Sequence, residues 1–158
     1  RPFECEMAAS GSEDSVRCSK HPLVLHKVTQ LQSADVKGRE YARLLQDVSA
    51  LVLAEATLDL ALGPTEVPTE EHGERRTRPG RRVVERVAVI PVLRGGLGMA
   101  AAAADLMPEA QVWHLGIYRD KTSTLPVEYY NKLPKAVQAD VALVLDPMPI
   151  SGTTAAAA

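Results

Sequence analysis

Val141-Ala142-Leu143-Val144-Leu145-Asp146-Pro147-Met148-Pro149-Ile150-Ser151-Gly152-Thr153-Thr154 is the stretch from which the fold can be read. Five apolar residues, four of them Val or Leu, run into an acid at Asp146. Two prolines follow within three residues, then a small polar loop, Ser151-Gly152-Thr153-Thr154, and then alanines. This order predicts a buried strand, a functional turn and a helix start. Ser, Gly and Thr ahead of a helix N-terminus offer backbone N–H groups, hydroxyls and a positive dipole end, which suit a phosphate. The expectation is a phosphate cradle with an acid at its lip.

Working back from that stretch, residues 83–93 are rich in Val and predict a second strand, which runs into Arg94-Gly95-Gly96. An alanine-rich helix over 100–107 follows, closed by Pro108. Residues 111–118 predict a further strand ending at Arg119-Asp120-Lys121. A flap comes next, and 127–133 is an amphipathic stretch with two tyrosines. The alternation of strand, helix, strand, flap, strand and helix implies an α/β fold with a parallel-centred sheet flanked by helices. Ligands in such sheets sit at the carboxyl ends of the strands. Arg94, Arg119 and Asp146 all fall at strand carboxyl ends.

Upstream, the clearest helix spans 35–62, with Tyr41, Leu44, Leu45, Val48, Leu51, Val52, Leu58 and Leu62 largely at three- and four-residue spacing. Ser33 or Asp35 can cap its start, and Gly63-Pro64 is expected to end it. Glu55 lies in the middle of that face, to reach solvent at its edge or to pair with an arginine. Residues 63–82 hold nine charged residues, three prolines and three glycines, and read as a long connection or a hairpin arm. Arg75, Arg76, Arg78, Arg81 and Arg82 form a basic cluster there, either a solvated face or an anion site. His21 and His26 flank an apolar patch at the start of the ordered part. No further metal ligand lies near them in sequence, so packing or surface roles are expected and no metal site is assigned.

The 158 residues fit one domain over 21–158 behind a polar, disordered leader over 1–20. Apolar content of 46% and charged content of 24% are those of an ordinary globular protein. A net charge of −2 gives no footprint for nucleic acid or an anionic membrane. No apolar run reaches the length of a membrane span. The leader lacks a secretory h-region and is too acidic for a comfortable transit peptide. A cytoplasmic location is therefore expected, with a plastid as the alternative if the leader belongs to a transit peptide. Cys5 and Cys18 both lie in the leader; two reduced surface thiols are expected, a pair clipping the tail being the alternative.

Two arginines, an acid and a phosphate cradle on one sheet edge suit a polyanion carrying more than one phosphate group. Arginine binds phosphate oxygens in a bidentate fork. Asp146 repels phosphate, so it should face hydroxyls or a cation. A sugar with phosphates at both ends and Mg²⁺ between them fits this pattern. A nucleoside-triphosphatase P-loop does not, because no Lys precedes the Ser/Thr pair. Gly95-Gly96-Leu97-Gly98 also fails the dinucleotide fingerprint.

These residues carry a family resemblance. Asp146 through Thr154 resembles the 5-phosphoribosyl 1-diphosphate (PRPP) signature of type I phosphoribosyltransferases. Asp146-Pro147-Met148 resembles, more narrowly, the uracil phosphoribosyltransferase family, whose signature reads D-P-M-L-A-T-G-G-S/T. His21-Pro22-Leu23-Val24, the run Val89 to Met99, the run His114 to Asp120 and the run Val127 to Pro134 agree with that family in order.

The resemblance implies a type I phosphoribosyltransferase-like fold with a hairpin arm. It implies conversion of uracil and PRPP to UMP and diphosphate in pyrimidine salvage. PRPP would be contacted by Arg94, Arg119, Asp146, Pro147, Met148, Pro149, Ile150, Ser151, Gly152, Thr153 and Thr154. Asp146 would be the catalytic-site acid, holding ribose hydroxyls, and Ser151 to Thr154 would grip the 5′-phosphate. Mg²⁺ would be carried with PRPP. Family members are usually homo-oligomers and some respond to GTP. A non-catalytic nucleotide-binding regulator of the same fold is the alternative.

Two departures stand out. Pro149 replaces Leu and removes an N–H, and Thr153 replaces a Gly that matters if the position needs positive φ. The family's uracil-recognition segment, with a Pro-Gly-x-Gly-Asp run, follows the PRPP loop, and nothing follows residue 158 here. The expectation is a chain truncated at its C-terminus, with a PRPP half-site and little activity alone.

Overall fold

The strand β3 (Val87–Leu93) is buried from Val87 to Val92 and has strand neighbours on both sides. The computed structural model describes residues 16–120, 125–150 and 152–158. An uninterrupted apolar run suits a strand covered on both faces, as parallel strands are. On one side β3 pairs in parallel with β7 (Val141–Leu145), from Val87↔Val141 to Pro91↔Leu145. On the other it pairs in parallel with β4 (Gln111–Val112) and β5 (Leu115–Arg119). The expected single strand over 111–118 is thus two short ones. Trp113 N–H still donates to Val89 O between them, at 2.9 Å. The edge beyond β5 is β6 (Pro126–Asn131), antiparallel, with a bulge at Gly116/Ile117. The amphipathic stretch expected in the flap is therefore a sheet strand. Parallel strands joined by α3 (Leu97–Leu106), plus one antiparallel edge, make the α/β fold the sequence implied.

Two apolar clusters lie on opposite faces of β3. Val89 and Leu145 meet Leu53, Ala102 and Ala103, from α2 (Gly38–Ala56) and α3. Ile90 meets Leu115 and Ile117, with Trp113 and Leu133 packed against them. Alternate residues of a strand point to opposite faces, so consecutive Val89 and Ile90 serve the two clusters.

The helix read over 35–62 spans only Gly38–Ala56. Thr57 ends it: its N–H and its hydroxyl both donate to Leu53 O, at 3.1 and 2.8 Å. Neither Ser33 nor Asp35 caps its start. Lys37 is the N-cap residue, without a side-chain bond, and Ser33 Oγ instead accepts from Asp35 N. Gly63-Pro64 does not terminate a helix but lies in β1 (Leu62–Glu71), which pairs with β2 (Glu74–Val83) as an antiparallel hairpin. The hairpin-arm alternative therefore holds. Its arginines are exposed, and Arg76 and Arg78 pair with Glu71 and Glu74.

A helix not anticipated from the sequence, α1 (Pro22–Leu31), precedes α2. Pro22 sits in its first turn, where a missing N–H costs nothing. His21 is extended and caps it, Nδ1 accepting from Leu23 N at 3.2 Å. Lys27 Nζ donates to Asp47 Oδ2 at 2.6 Å and ties α1 to α2. Of the expected leader, residues 1–15 lie outside the described residues. Residues 16–20 form no helix or strand, yet Ser19 Oγ donates to Glu55 Oε1 at 2.8 Å. Glu55 thus serves a serine, where solvent or an arginine was expected. Cys18 is disulfide-bonded, which corrects the reduced-thiol expectation for it. An anchored segment gives the fixed geometry that a disulfide requires. No helix of the described residues is long and apolar enough to cross a membrane.

Candidate active site

The parallel strands deliver their carboxyl ends to one edge, and the chemistry-bearing residues lie there. β7 ends at buried Leu145, which leaves Asp146 half-buried at the strand tip. Asp146 Oδ1 accepts from Met148 N at 3.1 Å. This local turn fixes the carboxylate with one oxygen and leaves further acceptor capacity. Ile150 N donates to Met148 O at 2.8 Å across Pro149. A tight turn of this kind suits the fixed φ of proline and needs no N–H from it. The Pro149 departure is therefore accommodated by the loop.

Gly152 has φ of 69°, the left-handed region that favours glycine. His72 is the only non-glycine with positive φ among the described residues. Thr153, which opens the short helix α4 (Thr153–Ala157), therefore does not occupy a glycine conformation. Its replacement of the signature's Gly strains nothing in the backbone.

Arg119, Asp146, Met148, Pro149, Ile150, Gly152 and Thr154 line one cavity of about 260 Å³. Arg119, the last residue of β5, is exposed, and its Nη2 donates to Thr153 Oγ1 at 3.1 Å. Thus an arginine from one strand end and an acid from another share a cavity with the small polar loop. Arg94 is not in its lining. It lines a second cleft, of about 470 Å³, with Leu93, Ile117, Tyr118 and Tyr129. The Tyr118 and Tyr129 ring centroids are 5.9 Å apart at 52°. The sequence had given no sign of this aromatic pair, because the register of β6 against β5 creates it.

Pro147 lies outside both linings and packs toward the turn after β3: a Cβ on Gly95 would sit 3.5 Å from Pro147 Cδ and Cγ. Ser151 lies outside the described residues. The site therefore gathers Arg119, Asp146 and the loop directly, and holds Arg94 one cleft away.

Asp146 is, among the described residues, the one carboxylate in the lining of the smaller cavity. Among the described residues, no group of three or more His, Cys, Asp or Glu is placed to hold a metal ion. A single carboxylate beside a small polar loop still fits Mg²⁺, which commonly keeps its waters and is held by substrate phosphates plus one or two carboxylates.

Comparisons with known proteins point to one family. Residues 18–158 match the family model described as uracil phosphoribosyltransferase. The uracil phosphoribosyltransferase of Roseiflexus sp. (strain RS-1) is 47% identical over 143 residues, covering 90% of this chain and 67% of that protein. That of Roseiflexus castenholzii is 45% identical over 140 residues, covering 89% and 65%. One from Clostridium botulinum (strain Eklund 17B / Type B) is 38% identical over 138 residues, covering 86% and 64%. The chain thus spans about two thirds of the length of the curated relatives it matches. Among solved structures, the AQ2163 protein from Aquifex aeolicus superposes with a TM-score of 0.79 at 29% identity, over 90% of this chain and 66% of that one. Since the family model spans nearly the whole described chain, and relatives 38–47% identical cover 86–90% of it, the chain belongs to the uracil phosphoribosyltransferase family.

Proposed function

We propose that this chain forms the PRPP-binding part of an enzyme that converts uracil and PRPP to UMP and diphosphate. The observation that carries the reading is the meeting of Arg119, Asp146 and the Gly152 loop in one cavity, on a chain of this family. The loop from Ser151 to Thr154 holds the 5′-phosphate, and Asp146 holds ribose hydroxyls. Arg94 and Arg119 supply guanidinium donors to PRPP oxygens.

As the C1′–oxygen bond to diphosphate breaks, uracil N1 forms its bond to C1′ and loses its proton. Positive charge grows on the sugar and negative charge on the leaving diphosphate. The two arginines stabilise that leaving group, and a sugar held at both ends presents C1′ in line to the base. When bound with PRPP, Mg²⁺ would supply further neutralisation of the diphosphate charge, with Asp146 as the carboxylate that could help hold it. Such a reaction needs no side-chain nucleophile. A homo-oligomer and a GTP effector belong to the proposal through the family resemblance alone. Light scattering, and assays with and without GTP, test those two points.

Asp146→Asn and Arg94→Ala, each made in the full-length protein, test the site. Each is expected to lower kcat/KM for PRPP by tenfold or more while the KM for uracil stays within about twofold, as loss of a charged contact predicts. Unchanged PRPP kinetics in both variants would remove these residues from the site.

A further inference from the structure

The hydroxyl of Thr153 has a partner that the signature reading does not assign to it. Arg119 Nη2 donates to Thr153 Oγ1 at 3.1 Å, across the mouth of the cavity that Arg119 shares with Asp146, Gly152 and Thr154. The two residues come from separate parts of the fold. Arg119 ends β5, whose Leu115, Gly116 and Ile117 are buried, and Thr153 follows the Asp146 loop at the end of β7. Arg119 is also paired with Pro126 across β5 and β6, and the next residue, Asp120, donates its N–H to Leu125 O at 3.0 Å. The arginine therefore stands at the neck of the β5–β6 connection. The threonine is this chain's replacement for a Gly of the family signature, and Gly has no hydroxyl.

We propose that Thr153 is a positioning residue. Its hydroxyl tethers the Arg119 guanidinium over the phosphate loop and so pre-orders that arginine for PRPP. The inference rests on the proposed function above. An exposed arginine samples many rotamers, and ordering it on ligand binding costs conformational entropy. A single bond from Nη2 to a neutral hydroxyl removes part of that cost in advance. The guanidinium carries five N–H donors in a planar fork, and the bond to Thr153 uses one of them. A carboxylate in place of the hydroxyl would hold the arginine more firmly but would repel the phosphate. A neutral acceptor orients the cation without cancelling its charge.

The test is a double-mutant cycle in the full-length protein, read by calorimetric PRPP binding and by steady-state kinetics. Thr153→Val keeps the shape and removes the acceptor. It is expected to weaken PRPP binding roughly tenfold, as a hydrogen bond to a charged group predicts. The KM for uracil stays near its original value. Thr153→Ser, which restores a hydroxyl, is expected to return PRPP affinity to within about threefold of the parent. Arg119→Ala weakens PRPP binding by itself, and Thr153→Val added to it is expected to cost no more than about a further twofold, since the hydroxyl acts through the arginine.

A tenfold loss from Thr153→Val that persists in the Arg119→Ala background would overturn the tether, because the hydroxyl would then touch the ligand or support the loop directly. Thr153→Val binding PRPP like the parent, while Arg119→Ala binds it weakly, would also overturn it and leave the proposed function standing. Failure of the parent protein to bind PRPP would instead remove the proposed function itself. Unfolding midpoints of the five proteins separate loss of binding from loss of fold.

Discussion

An added Cβ at Gly96 would fall on the carbonyl oxygen of Leu145, 2.6 Å from Val92 N and 2.9 Å from Val92 O. All three obstacles are backbone atoms of the central sheet, so none can swing aside. Gly96→Ala is therefore expected to destabilise the fold by about 1–3 kcal/mol, as overpacking of a tight site does. At Gly95 an added Cβ meets only Pro147 ring carbons at 3.5 Å, an ordinary contact. Gly95→Ala should stay within about 0.5 kcal/mol of the parent. Urea unfolding of the two variants checks the contrast, and equal midpoints would contradict the close approach. At Gly96 the close neighbour is the chain itself, where the turn after β3 crosses the end of β7. Sequence alone shows that a side chain is missing, and only the fold shows what fills its place.

Among the elements, β3 and β7 are joined at their starts by a clamp. Arg86 donates through Nε and Nη2 to Asp140 Oδ2 and Oδ1 at 3.1 and 2.9 Å, and its backbone N–H donates to Oδ2 at 2.9 Å. Those bonds hold the Asp140 carboxyl down at about 2, against an ordinary 3.8. A carboxyl depressed in the folded chain adds stability that is whole above its unfolded value and fades as pH falls through its folded one. Asp140→Asn should thus lower the urea midpoint at neutral pH, with the gap to the parent closing between about pH 4 and pH 2. The pair is exposed, so added salt should narrow the gap as well. A gap that ignores both pH and salt would rule out the ionic clamp.

The same scale shows where periodicity misleads. Leu58 and Leu62 continue the helical spacing of α2, but Thr57 turns its hydroxyl onto Leu53 O and the helix stops at Ala56. In α1, three contiguous apolar residues conceal a helix because only Val24 of the ten is buried. A helix with one buried position leaves almost no apolar stripe to read.

Across the whole molecule, the parallel-centred sheet and the gathering of Arg119 and Asp146 at its strand ends were legible because each depends on strong local signals. Buried strands announce themselves as apolar runs, and parallel sheets place their carboxyl ends together. The separation of Arg94 into its own cleft was not legible, since it depends on the turn after β3 and on β6 lying against β5. The central place of β3 predicts an order of protection. Its amides should exchange with solvent most slowly, and those of the β1–β2 hairpin, exposed along nearly its whole length, much sooner. Native-state hydrogen exchange reads this directly, and a hairpin more protected than β3 would contradict a β3-centred core.

The parallel pairing of β3 with β7 also bears on folding. Val87 and Val141 are separated in the chain by α3 and three strands, whereas Glu71 meets Glu74 across a tight turn. Local contacts close quickly and distant ones slowly. The hairpin can zip early, while the Asp146 loop acquires its position only when β7 docks. Ligand capture by that loop would therefore be a signal of completed folding, arriving after most of the secondary structure has formed.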